Sequence, residues 1–208
     1  MEDDEEEKLC VRLMLVGERN VGKTALVKKF SSGEFSPVPF VTPYDVYSEK
    51  RELNLPDKSK VHVQLLDTCK DVSTFASRNH KNVDCVILLY DITNIRSFIP
   101  IMRDIKEIKA ATPTDTRFFL IGNKTDLEKF RKVSLTAAFR LSKEHHLKFL
   151  EISIKTGAGT ERLFNWTAQI AMKIHRNRKS REENSIPTIK LAKKNKNSCK
   201  RLQRNSCS

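Results

Sequence analysis

The sequence lacks the features of a membrane-spanning or secreted protein. It has no apolar run of membrane-spanning length, and the acidic stretch at residues 2–7 is not followed by the hydrophobic region of a signal peptide. No internal repeat is present, and the cysteines fall in no metal-ligand spacing. An odd and scattered set of five favours free thiols over a disulfide framework. These absences predict a cytoplasmic protein without a structural zinc site.

Length and charge divide the chain into three parts. Its 208 residues suffice for one domain with tails, and the net charge of +13 is unevenly distributed. Residues 2–7 are all acidic, whereas residues 176–208 contain eleven Lys or Arg and two Glu. We therefore expect residues 1–7 and 176–208 to be disordered and residues 8–175 to form the folded domain. The basic tail suits an anionic partner, such as acidic lipid, nucleic acid or an acidic protein face, or serves only as a solvated, solubilising segment.

The stretch Gly17–Thr24, GERNVGKT, fits the phosphate-binding pattern G-x-x-x-x-G-K-[ST]. It follows the apolar run Val11–Val16 and leads into a segment with helical character, which is the context that this motif requires. Backbone N–H groups of such a loop point at one spot and hold phosphate oxygens. Lys23 supplies a charge to the terminal phosphates, and the Thr24 hydroxyl is able to ligate Mg²⁺.

Strands and helices alternate along the chain. Strands are predicted at Leu9–Val16, Val46–Leu55, Lys60–Asp67, Val83–Tyr90, Phe118–Ile121 and Phe149–Ile152, and helices follow the phosphate loop and span Ser97–Ala111, Leu135–His145 and Thr160–His175. The second and third strands flank a turn at residues 56–59, so they form an antiparallel hairpin. The pattern predicts an α/β fold in which helices cover both faces of a six-stranded, mostly parallel sheet with one antiparallel edge strand.

Two polar loops follow the last two predicted strands. The first contains Asn123-Lys124-Thr125-Asp126, and the second contains Ser153-Ile154-Lys155. Ligands of such folds bind beyond the carboxyl ends of the strands. The Asp126 carboxylate can accept two N–H donors from guanine, a pairing that adenine does not offer, so an ATP-using enzyme is disfavoured. Lys124 can lie over the base, and backbone N–H groups of the second loop can meet the guanine oxygen.

The order of these motifs, with a threonine in the loop after the first helix and an Asp-Thr pair after the third strand, resembles the Ras superfamily of small GTPases. The resemblance covers about residues 8–175 and implies a single Ras-like P-loop NTPase domain. Within that superfamily, the stretch Leu88–Thr93 with Ser97 and Phe98 looks most like the Rab branch. The resemblance implies GTP or GDP with Mg²⁺ as cofactors and a role as a switch in membrane traffic.

The resemblance also assigns roles residue by residue. Thr24, Thr42 and Asp67 would hold Mg²⁺, Phe35 would stack against the guanine, and Ser153 and Lys155 would complete the base pocket. The segments Phe35–Asp45 and Thr68–Asn79 would be the switch loops that contact effector and exchange proteins. The full set of residues implied in nucleotide binding is Gly17, Asn20, Val21, Gly22, Lys23, Thr24, Ala25, Phe35, Thr42, Asp67, Asn123, Lys124, Asp126, Ser153, Ile154 and Lys155.

The departures from the family pattern cluster around the γ-phosphate. Members of the family have the sequence D-T-A-G-Q after the third strand, and here Lys70 and Asp71 replace the Gly and the Gln. An ionised Asp71 cannot donate a hydrogen bond to orient the attacking water, and Arg19 crowds the place where an activating arginine would enter. We therefore predict slow or defective GTP hydrolysis and assign no catalytic residue. Two alternatives stay open: Arg19 acts in cis on the developing charge, or the protein is an interaction scaffold with a structural nucleotide.

The tail departs from the family as well. Cys207 is next to last, so the ending is not a C-a-a-X prenylation signal, and Cys199 stands further in. We expect weak peripheral association with endomembranes through charge and acylation at either cysteine. A nuclear-localisation or nucleic-acid role would rest on the short pairs at residues 193–194 and 200–201, which lack interleaved aromatics and make this partner unlikely. We expect the protein to be a monomer.

Overall fold

The structure, a computed structural model, describes residues 10–35, 46–55, 58–68, 72, 75, 80 and 82–185. Within them the six strands are β1 Cys10–Val16, β2 Val46–Asn54, β3 Lys60–Thr68, β4 Cys85–Asp91, β5 Arg117–Asn123 and β6 Lys148–Glu151. The α-helices whose bounds are described are α1 Lys23–Ser32, α2 Ile95–Ala110, α3 Leu135–Glu144 and α4 Thr160–Ser185, and a 3-10 helix spans Thr125–Phe130.

The strands form one six-stranded sheet in the order β2-β3-β1-β4-β5-β6. All neighbours are parallel except the β2–β3 hairpin, so the predicted topology with an antiparallel edge strand is confirmed. The register of the strands determines which residues meet at the carboxyl edge of the sheet. Leu15 lies opposite Asp67, and Asp91 lies opposite Asn123, so polar residues that follow different strands meet at the carboxyl edge of the sheet.

Two apolar cores cover the two faces of the sheet. On one face, α1 and α4 pack through residues such as Phe30 and Phe164, whose rings meet edge to face at 4.9 Å. On the other face, α2 and α3 pack through residues such as Phe98 and Leu141. β4 is buried over its whole length, as a central parallel strand covered on both sides should be. The predicted layering, with helices on both faces, is therefore confirmed.

In helix α2, the sequence pattern predicts the wrong burial for one residue. The periodicity places Met102 on the inner face, but its side chain is 46% exposed, whereas Phe98, Ile101, Ile105 and Ile108 are buried. The buried set already fills the core-facing stripe, so Met102 lies at its outer margin. Asn94 caps the helix by accepting a hydrogen bond from the Arg96 N–H at 3.1 Å, which explains why the helix begins earlier than predicted.

Helix α4 continues to Ser185 instead of ending at the predicted His175. The cause is a cluster of charged residues at the amino edge of the sheet. The Asp84 carboxylate accepts hydrogen bonds from Arg178 at 2.7 Å and from the backbone N–H of Arg12 at 2.7 Å, and it lies 2.9 Å from the His175 ring. Arg178 also donates two bonds to Asp115. Arg178 therefore joins the folded domain, although the sequence pattern assigns it to the basic tail.

None of the described helices combines the length with the apolar character needed to cross a bilayer.

Candidate functional site

The loop between β1 and α1 holds its lysine against its own backbone. The Lys23 ammonium donates to the carbonyl oxygens of Gly17 at 2.7 Å and Glu18 at 3.0 Å, and the side chain is almost buried. Gly22 adopts a left-handed conformation with φ of 107° at the start of α1. No side chain among the described residues caps this helix, and its first turn contains no acidic residue. The N–H groups and partial positive charge of the helix start are thus arranged for an anion.

Both glycines of the motif are required because a side chain would not fit at either position. A Cβ at Gly17 would collide with the backbone carbonyl of Leu89 in β4, and a Cβ at Gly22 would lie 2.6 Å from the side-chain nitrogen of Asn123. The clashes arise because the loop passes close to the ends of the strands. The same contacts also connect the phosphate loop directly to the loop that follows β5.

Thr24 and Asp67 form a pair at the mouth of this loop. The threonine hydroxyl donates to one Asp67 carboxylate oxygen at 2.5 Å, and Asp67 is 1% exposed. Its other oxygen, Oδ1, is buried and has no hydrogen-bond partner among the described residues. Burial raises the pKa of this carboxyl, although the Thr24 hydrogen bond and the Lys23 charge oppose the shift. A buried, unpaired oxygen beside a hydroxyl suits a hard cation such as Mg²⁺, so these two predicted ligands fit the metal.

Asn123 joins the phosphate loop to the loop after β6. Its side-chain N–H donates to the Val21 carbonyl at 2.8 Å, and its side-chain oxygen accepts from the Ile154 backbone N–H at 3.1 Å. In the same loop the Ser153 hydroxyl donates to Asp126 at 2.6 Å and accepts from the Thr156 N–H. The Asp126 carboxylate keeps further acceptor capacity beyond this bond. The two loops predicted to read the base are therefore adjacent.

In the first of these loops, the Lys124 ammonium lies 2.6 Å from the Asp91 carboxylate. Asp91 is buried at the end of β4, and its other oxygen accepts two bonds from Thr93. Lys124 has a positive φ of 72° at the start of the 3-10 helix, which turns the chain so that Asp126 faces Ser153. The sequence reasoning did not assign a role to Asp91, whose signal was its place directly after a buried strand.

The other predicted site residues differ in their exposure, and some lie outside the described residues. Arg19, Asn20 and Lys155 are exposed, Val21 and Ile154 are buried, and Ala25 is half-buried. Phe35 is half-buried and packs against the core on the α1 face, so its proposed stacking on a base stays a prediction. Thr42, Lys70 and Asp71 lie outside the described residues, as does most of the two predicted switch segments.

A second group that the sequence reasoning missed supports the base-reading loops. Arg131 donates two bonds to Glu151, at 2.9 and 2.7 Å, and two to Glu128, at 2.7 and 2.6 Å. The Tyr90 hydroxyl also donates to Glu151, at 3.3 Å. This group ties the end of the 3-10 helix to β4 and to the strand that leads into Ser153. Nothing in its spacing marks it as a unit in the sequence.

The fold and the arrangement of these loops define a P-loop nucleotide-binding protein. Residues 12–173 match the sequence model of the Ras family. Ras-related protein Rab-13 from Bos taurus is 30% identical over 193 residues, which cover 90% of this chain and 94% of that protein. Ras-related protein Rab-8B from Homo sapiens is 32% identical over 84% of each chain. Ras-related protein Rab-26 from Mus musculus is 34% identical over 77% of this chain and 62% of that protein.

The chain therefore belongs to the Ras family, and it is a small GTPase of the Rab branch.

Proposed function

We propose that this protein binds GTP and GDP with Mg²⁺ and acts as a Rab-like switch in membrane traffic that turns GTP over slowly. The observation that carries the binding proposal is the contact between Asp126 and Ser153, together with the bridge that Asn123 makes between Val21 and Ile154. It places the Asp126 carboxylate and the loop after β6 together beside the phosphate loop, where they would face one base. Guanine offers two donors and one acceptor in that pattern, and adenine does not.

The chain's own residues divide the work of binding. Lys23 and the N-terminal turn of α1 would hold the phosphates, and Thr24 and Asp67 would hold Mg²⁺, which shields phosphate charge when bound. Thr42 would complete the metal site from the first switch segment. Lys124 would cover the base by its alkyl chain while Asp91 keeps its ammonium in place.

The first experiment tests the base. Protein purified from cells should release guanine nucleotide on denaturation, and Asp126→Asn should weaken GTP binding at least a hundredfold, because the amide cannot accept both guanine donors. The same variant should gain affinity for xanthosine triphosphate, whose second carbonyl accepts from the new amide. Glu144→Gln, which removes an exposed carboxylate of α3, is the control. Unchanged GTP affinity in Asp126→Asn would refute the assignment.

Slow hydrolysis is proposed from three residues of the sequence. Asp71 stands where the family has the glutamine that orients the attacking water, and Lys70 stands where it has glycine. A carboxylate about 4 Å from a phosphate oxygen is repelled by roughly 4 kcal/mol at an effective dielectric of 20. Single-turnover hydrolysis should therefore be much slower than in relatives, and the combined change Arg19→Gly, Lys70→Gly and Asp71→Gln should restore it. A fast wild-type rate would contradict the proposal.

The alternative is that the protein is an interaction scaffold whose nucleotide is structural. The wild-type protein and the combined variant also distinguish this alternative from a switch. A switch binds at least one partner differently in its GTP and GDP states, through residues 35–45 and 68–79. Equal affinity for both nucleotides and no partner that discriminates between them would favour the scaffold.

Membrane attachment through the basic tail, residues 176–208, is tested by vesicle binding with and without acylation at Cys199 and Cys207.

A further inference from the structure

The outer face of α3 and the 3-10 helix before it expose large apolar side chains. Phe130 is 66% exposed, Leu135 is 53% exposed and Phe139 is 49% exposed. Leu135 and Phe139 are one turn apart on α3, whereas Ala138 and Leu141 face the core. We name the three exposed residues the α3 apolar face. It lies outside the nucleotide site, and nothing in the proposed function uses it.

The segment that carries the α3 apolar face is held firmly. The backbone N–H groups of Lys132 and Val133 both donate to the Ile92 carbonyl, at 2.8 and 2.9 Å. Ser134 caps α3 by accepting from the Ala137 N–H at 3.1 Å. The exposed side chains are therefore presented by a fixed backbone and do not belong to a fraying end.

Positive charge surrounds these apolar side chains. The Lys143 ammonium lies 5.1 Å from the centre of the Phe139 ring. Residues 127–148 contain six Lys or Arg and two Glu, and Glu128 is paired with Arg131, so little negative charge is left uncompensated. The exposed cations on the 3-10 helix, on α3 and between them are Lys129, Lys132, Arg140 and Lys143. The combination calls for a partner that is both anionic and able to accept aromatic rings.

We propose that the α3 apolar face docks on the surface of a membrane that contains anionic lipid. The apolar side chains project from the outside of a helix, which is a convex surface. An acidic peptide or helix binds through a groove, whereas a lipid interface accepts single aromatic and aliphatic side chains with cations at the level of the headgroups. This contact adds a second, folded attachment point to any held by the basic tail, and it does not depend on bound nucleotide.

The first test is sedimentation of the full chain with vesicles of phosphatidylcholine that contain 30% phosphatidylserine. The double variant Phe130→Ala/Phe139→Ala should lower the partition coefficient about tenfold. The matched control is Ile99→Ala/Met102→Ala, because these α2 residues are also large, apolar and exposed, at 49% and 46%. Equal losses in both double variants, or no loss in either, would overturn the proposal.

The second test separates this face from the tail. Trp166, the only tryptophan, is replaced by Phe, and a new tryptophan is placed by Phe130→Trp or, as the control, by Ile99→Trp. Phosphatidylserine vesicles should shift the emission to the blue in the Phe130→Trp protein alone, and high salt should reverse the shift. Vesicle binding without this shift would mean that only the tail binds and would refute the proposal. So would a blue shift with polyglutamate but not with vesicles, which would assign the face to an acidic protein.

Discussion

Substitution of Arg131 by Met tests whether the ion pairs behind the base-reading loops stabilise the site. The Arg131 and Glu151 side chains are 18% and 14% exposed and share two hydrogen bonds. Among the described residues, Arg131→Met would leave the Glu151 carboxylate with the Tyr90 hydroxyl as its side-chain partner, through a bond of 3.3 Å. The variant therefore keeps a largely buried charge without its counterion.

The size of the effect follows from this burial. Removing one partner of a buried ion pair costs about 3–5 kcal/mol, and the remaining access to water places this pair near the lower end. A loss of about 3 kcal/mol corresponds to a fall in Tm of about 6–12 °C for a protein of this length. Nucleotide should also dissociate roughly tenfold faster, because the pair fixes both the end of the helix that carries Asp126 and the strand before Ser153.

The control is Lys60→Met. Lys60 is paired with Glu52 at 2.8 Å, but the two side chains are 67% and 38% exposed, so loss of this pair should leave Tm almost unchanged. Thermal unfolding followed by circular dichroism and release of a fluorescent guanine nucleotide measure the two effects. Equal Tm values for the two variants would refute the argument from burial. A double variant, Arg131→Met/Glu151→Leu, should regain much of the loss, since it removes both charges.

Three further predictions concern other parts of the fold. Asp67→Asn should raise the Tm of metal-free protein at neutral pH while abolishing its response to Mg²⁺. Because burial raises the pKa of this carboxyl, the wild type loses stability as the pH rises from about 4 through the folded-state pKa, so the advantage of the variant should vanish in acid. Gly17→Ala should cost about 1–3 kcal/mol in urea unfolding, because the new Cβ meets the rigid Leu89 carbonyl. Arg178→Met should cost about 2 kcal/mol and speed amide exchange in residues 176–185, because it removes one cation from the buried Asp84.

The strands and the phosphate loop could be predicted from the sequence because each has a local signal. Buried parallel strands are continuous apolar runs, so the predicted bounds of β4 and β5 differ from the observed ones by only a few residues. The phosphate-loop motif fixes Lys23 and Thr24 within eight residues. Once the order of motifs indicates a P-loop fold, the meeting of Asp67 with Thr24 follows from the strand ends.

The ion pairs could not be predicted because they join residues that are distant in the sequence. Arg178 and Asp84 are 94 positions apart, and a charged residue carries no periodic signal that would pair them. The same cause explains the misplaced end of α4, whose last turns are polar and resemble the tail in composition. The exposure of Phe130, Leu135 and Phe139 could not be predicted either, since apolar residues in a helical pattern are usually assigned to the core.

The carboxylate of Asp84 brings the two ends of the folded domain together. It binds the backbone of Arg12 in the first strand and the side chain of Arg178 in the last helix, at the edge of the sheet away from the nucleotide loops. A fluorescent protein or affinity tag fused at either end therefore leaves the nucleotide edge uncovered. A short linker between the ends would close the domain into a ring, and new termini opened in the β2–β3 turn would give a circular permutant with an intact site.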